Sequence, residues 1–506
     1  MIRSACLRFR AVAVGAALAV ASAVASAASE RPAQGLAPHA PKHGADIGAL
    51  IARHGLEGAR VGFHVIDQEN GGLISSRDAD QFFIPASTAK IVTAAGALGV
   101  LGPRHRFRTS VHAVGRLRDG VLDGDLYLKG SGDPLLSVQD LLAMIERLRD
   151  LGLGRVAGRF IYDETALPVV AEIDPAQPAA APYNAGLSAL TLDFNRIRVH
   201  WRRGADGPVT AVLSPAAGAG GIVISDADPG PGRAFVPAPG QLGERWALAP
   251  HRLSAPAGVT ELPVRDPGRR AAMVFRALAA GTGTALARPE AGALPAEARE
   301  LTAVESPPLA RLLRPALAHS NNVVSELIGM AAARKLAGKP ASLSESSRTL
   351  IGWLGGRALD LDTRGLELPN HSGLSAKARA TPKQMLALLR HALLMRYDSD
   401  GIVPLLPAAG WRESFGGRFR DPATAGWVWG KTGTMHYATG IVGVLFGQAS
   451  GRRSVFALYV MDDEKRRAFD ADPAREGAEA LARAEDWIQR AKALEEDLVS
   501  GWVRRY

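Results

Sequence analysis

The stretch between about residues 104 and 295 differs in pattern from the sequence on either side of it. It is dominated by short strand-like runs such as Arg159-Phe160-Ile161-Tyr162, and Pro and Gly are dense around 204–267. A strand pair and an apolar helix precede it, and helical spacing of apolar residues follows it. The two ends, residues 28–103 and 296–506, therefore predict one α/β domain interrupted by a mostly β insertion at 104–295.

Individual elements follow from apolar periodicity and from turn residues. The segments 60–67 and 73–77 are predicted strands, and Asn70-Gly71 between them is a strong hairpin signal. The predicted helices lie near 45–54, 87–101, 137–151, 306–318, 322–337, 343–356, 382–397 and 474–497. The later predicted strands are 427–431, 441–446 and 454–460.

The first residues have the pattern of an export signal. Three arginines among the first ten residues precede an apolar stretch at 11–24, and Ala25-Ser26-Ala27 fits the small-residue cleavage rule. We expect a signal peptide at residues 1–27 and a periplasmic protein. The alternative is a membrane anchor, but the apolar stretch is shorter than the roughly 20 residues that a spanning helix needs.

Composition limits the class of protein. A chain of 506 residues, 47% hydrophobic and 22% charged, is long enough for two or three folded domains. The net charge of +10 comes from scattered basic residues, which predicts no nucleic-acid partner but fits a peripheral contact with an anionic membrane. The only cysteine, Cys6, lies in the predicted signal peptide, so disulfides and a cysteine nucleophile are excluded from the mature form. No metal or organic cofactor is indicated.

Ser87-Thr88-Ala89-Lys90 is the first candidate for catalysis. Residues three apart share a helix face, so the Lys90 amine can approach the Ser87 hydroxyl. A serine becomes nucleophilic when a base takes its proton, and a lysine can be that base if burial or a neighbouring cation lowers its pKa. The same residues also suit a helix cap beside a surface lysine, so this motif is weak on its own.

Two further motifs follow in the second half of the chain. Ser320-Asn321-Asn322 joins two predicted helices and suits either a loop facing a cleft or an ordinary helix cap. Lys431-Thr432-Gly433-Thr434 ends an apolar run. Its strand edge could pair with an extended peptide, its Lys and Thr could hold a carboxylate, and Gly433 would let substrate approach the backbone. A P-loop is excluded because that pattern needs glycine at position 425, which is Ala425.

In this order, the three motifs form the set found in penicillin-binding proteins and class A β-lactamases. The chain resembles the D-alanyl-D-alanine carboxypeptidase/endopeptidase family, the low-molecular-mass class C penicillin-binding proteins, over nearly all of its mature sequence. Segments 130–134, 192–196, 319–322 and 370–375 also carry the resemblance, as does the separation of more than 200 residues between the first two motifs. It implies an α/β (α+β) fold of the penicillin-binding/serine β-lactamase type, an antiparallel sheet flanked by helices.

The resemblance also implies a role for each residue of the first two motifs. Ser87 would be the acylated nucleophile and Lys90 its proton acceptor. Ser320 would pass a proton toward the leaving D-alanine amine, and Asn322 would hold the substrate amide. The middle position of the second motif, Asn321 here, is variable in relatives.

For the third motif, the resemblance implies substrate binding. Lys431 and Thr432 would meet the terminal carboxylate, and the N–H groups of Ser87 and Thr434 would form an oxyanion hole. Asp163 matches an acidic residue that the inserted domain presents near the site in relatives. His371 is interpreted as part of a structural turn rather than as a base.

The expected function is that of a periplasmic DD-peptidase. It would remove the terminal D-alanine from peptidoglycan stem peptides, cut D-alanyl cross-links, or both, and β-lactams would acylate it covalently. A serine β-lactamase is the nearest alternative, and the long insertion argues against it. The other alternative is a catalytically silent peptidoglycan-binding protein, which the intact motif residues argue against.

Overall fold

The structure is a computed structural model of the 506-residue chain. It describes residues 47–203, 209–214, 223–225, 235–238, 245–248, 255–358, 361–395, 401–410, 415–422 and 424–506. The predicted signal peptide at residues 1–27 lies outside this part of the chain.

The helices and strands are numbered in chain order. The helices are α1 (Ile47–Arg53), α2 (Lys90–Leu101), α3 (Val138–Asp150), α4 (Pro267–Gly281), α5 (Leu309–Ala318), α6 (Asn322–Ala337), α7 (Leu343–Gly355), α8 (Pro382–Leu394), α9 (Asp463–Ala471) and α10 (Ala478–Arg505). The strands are β1 (Arg60–Asp67), β2 (Leu73–Arg77), β3 (Arg108–Arg118), β4 (Val121–Lys129), β5 (Arg155–Val156), β6 (Phe160–Asp163), β7 (Arg196–Arg203), β8 (Val209–Ser214), β9 (Val223–Ser225), β10 (Phe235–Ala238), β11 (Arg245–Leu248), β12 (Ala257–Pro263), β13 (Pro289–Ala291), β14 (Arg299–Glu305), β15 (Val428–Met435), β16 (Ala438–Phe446) and β17 (Arg453–Met461).

The two ends of the chain build one five-stranded antiparallel sheet in the order β15-β16-β17-β1-β2. Side chains of β17 alternate between its two faces, as the period of a strand requires. Val455, Ala457 and Tyr459 join the core with α2 and α5–α8, whereas Phe456 and Leu458 join the core with α1 and α10. The sheet is therefore buried between two helical layers, which explains the continuous apolar runs of β16 and β17.

The intervening part of the chain forms separate sheets. The largest of these sheets has the strand order β13-β6-β4-β3-β14, and β5 pairs with β4 beside this path. Helices α3 and α4 pack on it and share its core. The described residues of this part of the chain also form two three-stranded sheets, in the orders β12-β7-β8 and β10-β11-β9. The sequence prediction of a single helix here missed α4, which begins with an Asp266 cap and Pro267 in its first turn. The domain boundaries themselves stay a prediction.

Helix α10 is longer than the predicted 474–497 and continues to Arg505. Trp502 and Val503 in its last turn are buried against the sheet core. The last turn of α10 is therefore packed rather than exposed. Within the described ranges, no helix combines the length and the apolar character needed to cross a membrane.

Candidate active site

Ser87 lies in a tight turn that leads into α2. The turn, Ala86–Ala89, is a 3-10 helix, and Ala86 has a left-handed φ of 46°. Such a conformation costs a residue with a side chain about 1–3 kcal/mol, so the surrounding structure has to hold it. Thr88 helps to do so, because its hydroxyl contacts the Pro85 carbonyl at 2.7 Å and the Tyr459 hydroxyl on β17 at 2.8 Å.

Lys90 is buried and contacts the serine directly. Its Nζ lies 3.0 Å from Ser87 Oγ, 2.8 Å from Asn322 Oδ1 and 2.8 Å from the Ser372 carbonyl oxygen. Burial, and then the positive charge of Lys431, hold the pKa of Lys90 well below its ordinary value. A lysine whose pKa is lowered in this way, beside a serine hydroxyl, is suited to accept the proton of that hydroxyl.

The second motif lies between α5 and α6. Ser320 adopts a left-handed φ of 54°, and Asn321 caps α6 by accepting from the Val324 N–H at 3.2 Å. Asn322 is the first residue of α6, and its Nδ2 donates to the Tyr183 carbonyl at 3.0 Å. Its amide therefore bridges Lys90 and the intervening part of the chain.

The third motif lies on β15, at the edge of the five-stranded sheet. Lys431 is buried, which lowers its pKa to about 7, and its Nζ donates to the Thr432 carbonyl at 2.7 Å. A Cβ at Gly433 would lie 2.5 Å from the Pro85 carbonyl oxygen and 3.1 Å from the Ser87 nitrogen. Only glycine allows β15 to approach the serine turn this closely.

A cavity of about 620 Å³ brings the three motifs together. Ser87, Ser320, Asn322 and Thr434 line it. Its other walls come from the intervening part of the chain, from the turn after β15, from α9, from the loop that follows α9 and from α10. The polar residues among them are Gln177, Tyr183, His436, Arg466, Asp470, Arg475, Glu476 and Glu485.

Asp163 is not among the residues that line this cavity. It lies at the end of β6, where Lys129 Nζ approaches at 3.2 Å and the Leu294 N–H donates at 2.9 Å. Burial alone would raise the pKa of this carboxyl, but hydrogen bonds from Thr165, Leu294 and Lys129 outweigh it and the pKa lies below its ordinary value. These contacts account for the carboxylate without a substrate, so its predicted binding role gains no support from the geometry.

Some residues that contact the site belong to none of the three motifs, so the sequence did not identify them as site residues. Ser372 supplies a carbonyl to Lys90, and Glu326 on α6 holds the turn that contains Ser372. Glu326 is the only acidic residue of α6 and is followed by a run of apolar residues, and this is the signal that could have pointed to it. The buried His371 imidazole contacts Ser346 at 2.8 Å, and burial lowers its pKa to about 3. It is thus a neutral part of that turn.

No group of His, Cys, Asp or Glu in the described part of the chain is arranged to hold a metal ion.

The sequence and the fold both have known relatives. Residues 44–229 and 251–484 match the D-Ala-D-Ala carboxypeptidase 3 (S13) family. The chain is 32% identical over 433 residues to a D-alanyl-D-alanine carboxypeptidase of Actinomadura sp. (strain R39), covering 79% of this chain and 78% of that one. It is 28% identical over 432 residues to a carboxypeptidase of Mycobacterium tuberculosis, covering 82% and 76%.

Among solved structures, penicillin-binding protein 4 of Haemophilus influenzae superposes with a TM-score of 0.75 at 19% identity, covering 91% of this chain and 99% of that one. This likeness confirms the predicted mixed α+β fold of the penicillin-binding type. With the family match spanning most of the sequence, the chain belongs to the D-Ala-D-Ala carboxypeptidase 3 (S13) family.

Proposed function

We propose that this protein is a serine-type DD-peptidase that acts on peptidoglycan stem peptides as a D-Ala-D-Ala carboxypeptidase, a DD-endopeptidase or both. The observation that carries the proposal is the 3.0 Å contact between Ser87 Oγ and the buried Lys90 amine, at a cavity that Asn322 and Thr434 also line. Membership of a D-Ala-D-Ala carboxypeptidase family supplies the substrate class.

Acylation begins when Ser87 Oγ attacks the carbonyl carbon of the bond between the two terminal D-alanines. Lys90 accepts the hydroxyl proton as the new C–O bond forms. The N–H groups of Ser87 and Thr434 stabilise the oxyanion. The close approach of Gly433, the residue before Thr434, to the Ser87 nitrogen supports this assignment. Donors aimed at a developing oxyanion are commonly the largest single contribution to acyl transfer.

The remaining motif residues handle the leaving group and the peptide. Ser320 passes the proton to the departing D-alanine amine, and Asn322 holds the substrate amide. Lys431 and Thr432 bind the terminal carboxylate while the edge of β15 pairs with the extended peptide. Water then hydrolyses the ester on Ser87 and regenerates the hydroxyl.

We also propose that residues 1–27 direct export to the periplasm, and that residues 104–295 form an insertion in a peptidase domain of residues 28–103 and 296–506. β-Lactams would acylate Ser87 in the same way as the peptide and leave slowly as the hydrolysed product. A peripheral contact with an anionic membrane surface fits the positive net charge.

The test uses labelled penicillin and a peptide ending in D-Ala-D-Ala. We expect stable labelling of the wild-type protein and release of D-alanine, and neither from a folded Ser87→Ala variant. Rapid turnover of penicillin would instead indicate a β-lactamase. A wild-type protein that neither labels nor releases D-alanine would indicate a binding protein without catalysis.

A further inference from the structure

Glu326 is a fully buried carboxylate that the proposed mechanism does not use. It lies on α6, one helical turn after Asn322, with apolar neighbours such as Val323 and Leu327. A buried carboxylate is costly unless it is paired and hydrogen-bonded. Its partners therefore indicate what it does.

Both oxygens of Glu326 hold the same turn. Oε2 accepts from the His371 N–H at 2.9 Å, and Oε1 accepts from the Ser372 N–H at 2.8 Å. Within the turn, Asn370 Oδ1 accepts from the Gly373 N–H at 3.0 Å. The carboxylate thus fixes the N–H side of residues 371 and 372.

The carbonyl side of this turn faces α2. The Ser372 carbonyl accepts from Lys90 Nζ at 2.8 Å, and the His371 carbonyl accepts from the Thr93 hydroxyl at 2.7 Å. Helix α6 therefore reaches Lys90 by two routes. Asn322 contacts the amine directly, and Glu326 acts on it through the turn.

Glu326 also places negative charge close to the lysine pair. Besides the effect of burial, Lys431 from β15 lowers the pKa of Lys90 and Glu326 raises it. The His371 imidazole is neutral and contacts Ser346 on α7. Among the described residues, the charges that act on Lys90 from the elements packed around it are those of Lys431 and Glu326.

Burial raises the pKa of Glu326 itself, while hydrogen bonds from Ser372 and His371 and the attraction of Lys90 oppose that rise. Because each of its two oxygens accepts a backbone N–H, we assign the ionised form to Glu326.

We propose that Glu326 is a positioning residue for acyl transfer. Its carboxylate holds the turn so that the Ser372 carbonyl meets Lys90, and it supplies the negative charge that balances Lys431. The inference rests on the proposed function in one respect, that Lys90 takes the Ser87 proton.

The test is the pH dependence of the rate of acylation by penicillin. Glu326→Gln removes the charge and leaves one acceptor oxygen for two N–H groups. We expect its maximal acylation rate, the plateau of the pH profile, to fall about tenfold or more. The acidic limb, where the rate rises as Lys90 loses its proton, should move to lower pH by about one unit, because the negative charge that favours protonated Lys90 is lost. Glu326→Asp keeps the charge on a shorter side chain, so its plateau should fall while its limb stays in place.

Glu495→Gln is the matched control. Glu495 is equally buried, on α10, and lies 2.8 Å from Arg418, which also contacts Glu496. This variant should lose thermal stability without any shift of the acidic limb. The same shift in Glu495→Gln would overturn the inference, because it would show a general effect of removing a buried carboxylate.

A folded Glu326→Gln variant with the wild-type plateau and limb would also overturn it. If Glu326→Gln does not fold, the plateau acylation rate of Glu326→Asp tests the inference. A wild-type rate in that variant would contradict a positioning role for Glu326, and a reduced rate would support it. A failure of the proposed function is separate, because it would appear as a wild-type protein that penicillin does not acylate at any pH.

Discussion

Two lysines with opposite tasks share the proposed active site. Lys90 must be neutral to accept a proton, whereas Lys431 must be charged to bind a carboxylate. Burial lowers the pKa of both, that of Lys431 to about 7, and the charge of Lys431 lowers that of Lys90 further. The two neighbouring amines therefore retain one proton more easily than two, and their apparent pKa values belong to the pair.

This pairing predicts a bell-shaped pH dependence of kcat/KM for a peptide ending in D-Ala-D-Ala. The rate rises as Lys90 loses its proton, and it falls above about pH 7 as Lys431 loses its own and the substrate carboxylate loses its partner. Lys431→Gln should raise KM about tenfold or more and remove the falling limb. Steady-state kinetics over about pH 5 to about pH 9 measure both effects. A flat wild-type profile, or a falling limb that persists in Lys431→Gln, would contradict the assignment.

At this scale, local spacing was enough to predict that Lys90 could reach Ser87. Local spacing could not predict the contact of Glu326 with the Ser372 N–H, which joins residues 46 apart in the chain. That contact depends on how α6 packs beside the turn, and no short motif encodes it.

At the scale of elements, the proposed oxyanion hole depends on the close approach of β15 to the serine turn. The space between them has no room for a side chain at Gly433, since a Cβ there would lie 2.5 Å from a backbone oxygen. The strand lies at the edge of its sheet, so it can move outward without unfolding the core.

Gly433→Ala should therefore stay folded and lose activity. We expect its rate of acylation by penicillin to fall about 100-fold, because the strand moves away from the Ser87 amide. Gly352→Ala on α7 is the control, since a Cβ there meets no atom within 4 Å and alanine favours a helix. Acylation rates and thermal unfolding of both variants check this. A wild-type rate in Gly433→Ala would show that the close approach is not needed.

The elements themselves were predicted well where periodicity and caps agree. Helix α6 was predicted at its observed bounds, and α7 to within one residue. Helix α4 was missed because the Pro- and Gly-rich sequence before it favoured a β interpretation, although Asp266-Pro267 is a helix start signal. The end of α10 was missed because its last turn is stabilised by packing of Trp502.

At the scale of the whole molecule, the cavity depends on distant parts of the chain. The intervening part of the chain contributes the Tyr183 carbonyl to Asn322, and its Gln177 donates to the Leu374 carbonyl at 3.2 Å. The sequence predicted an interrupted domain from the change in pattern. It could not predict the strand order, in which β1 pairs with β17 by hydrogen bonds between the two ends of the chain.

The central claim is that Ser87 carries the acyl group, and peptide mapping of the penicillin-treated protein tests it most directly. Trypsin cleaves after Arg77 and Lys90, and Ser87 is the only serine in the resulting peptide of residues 78–90. We predict one penicilloyl adduct, located by mass spectrometry on Ser87 in that peptide. An adduct on the peptide that contains Ser320, or no adduct on the folded protein, would contradict the account.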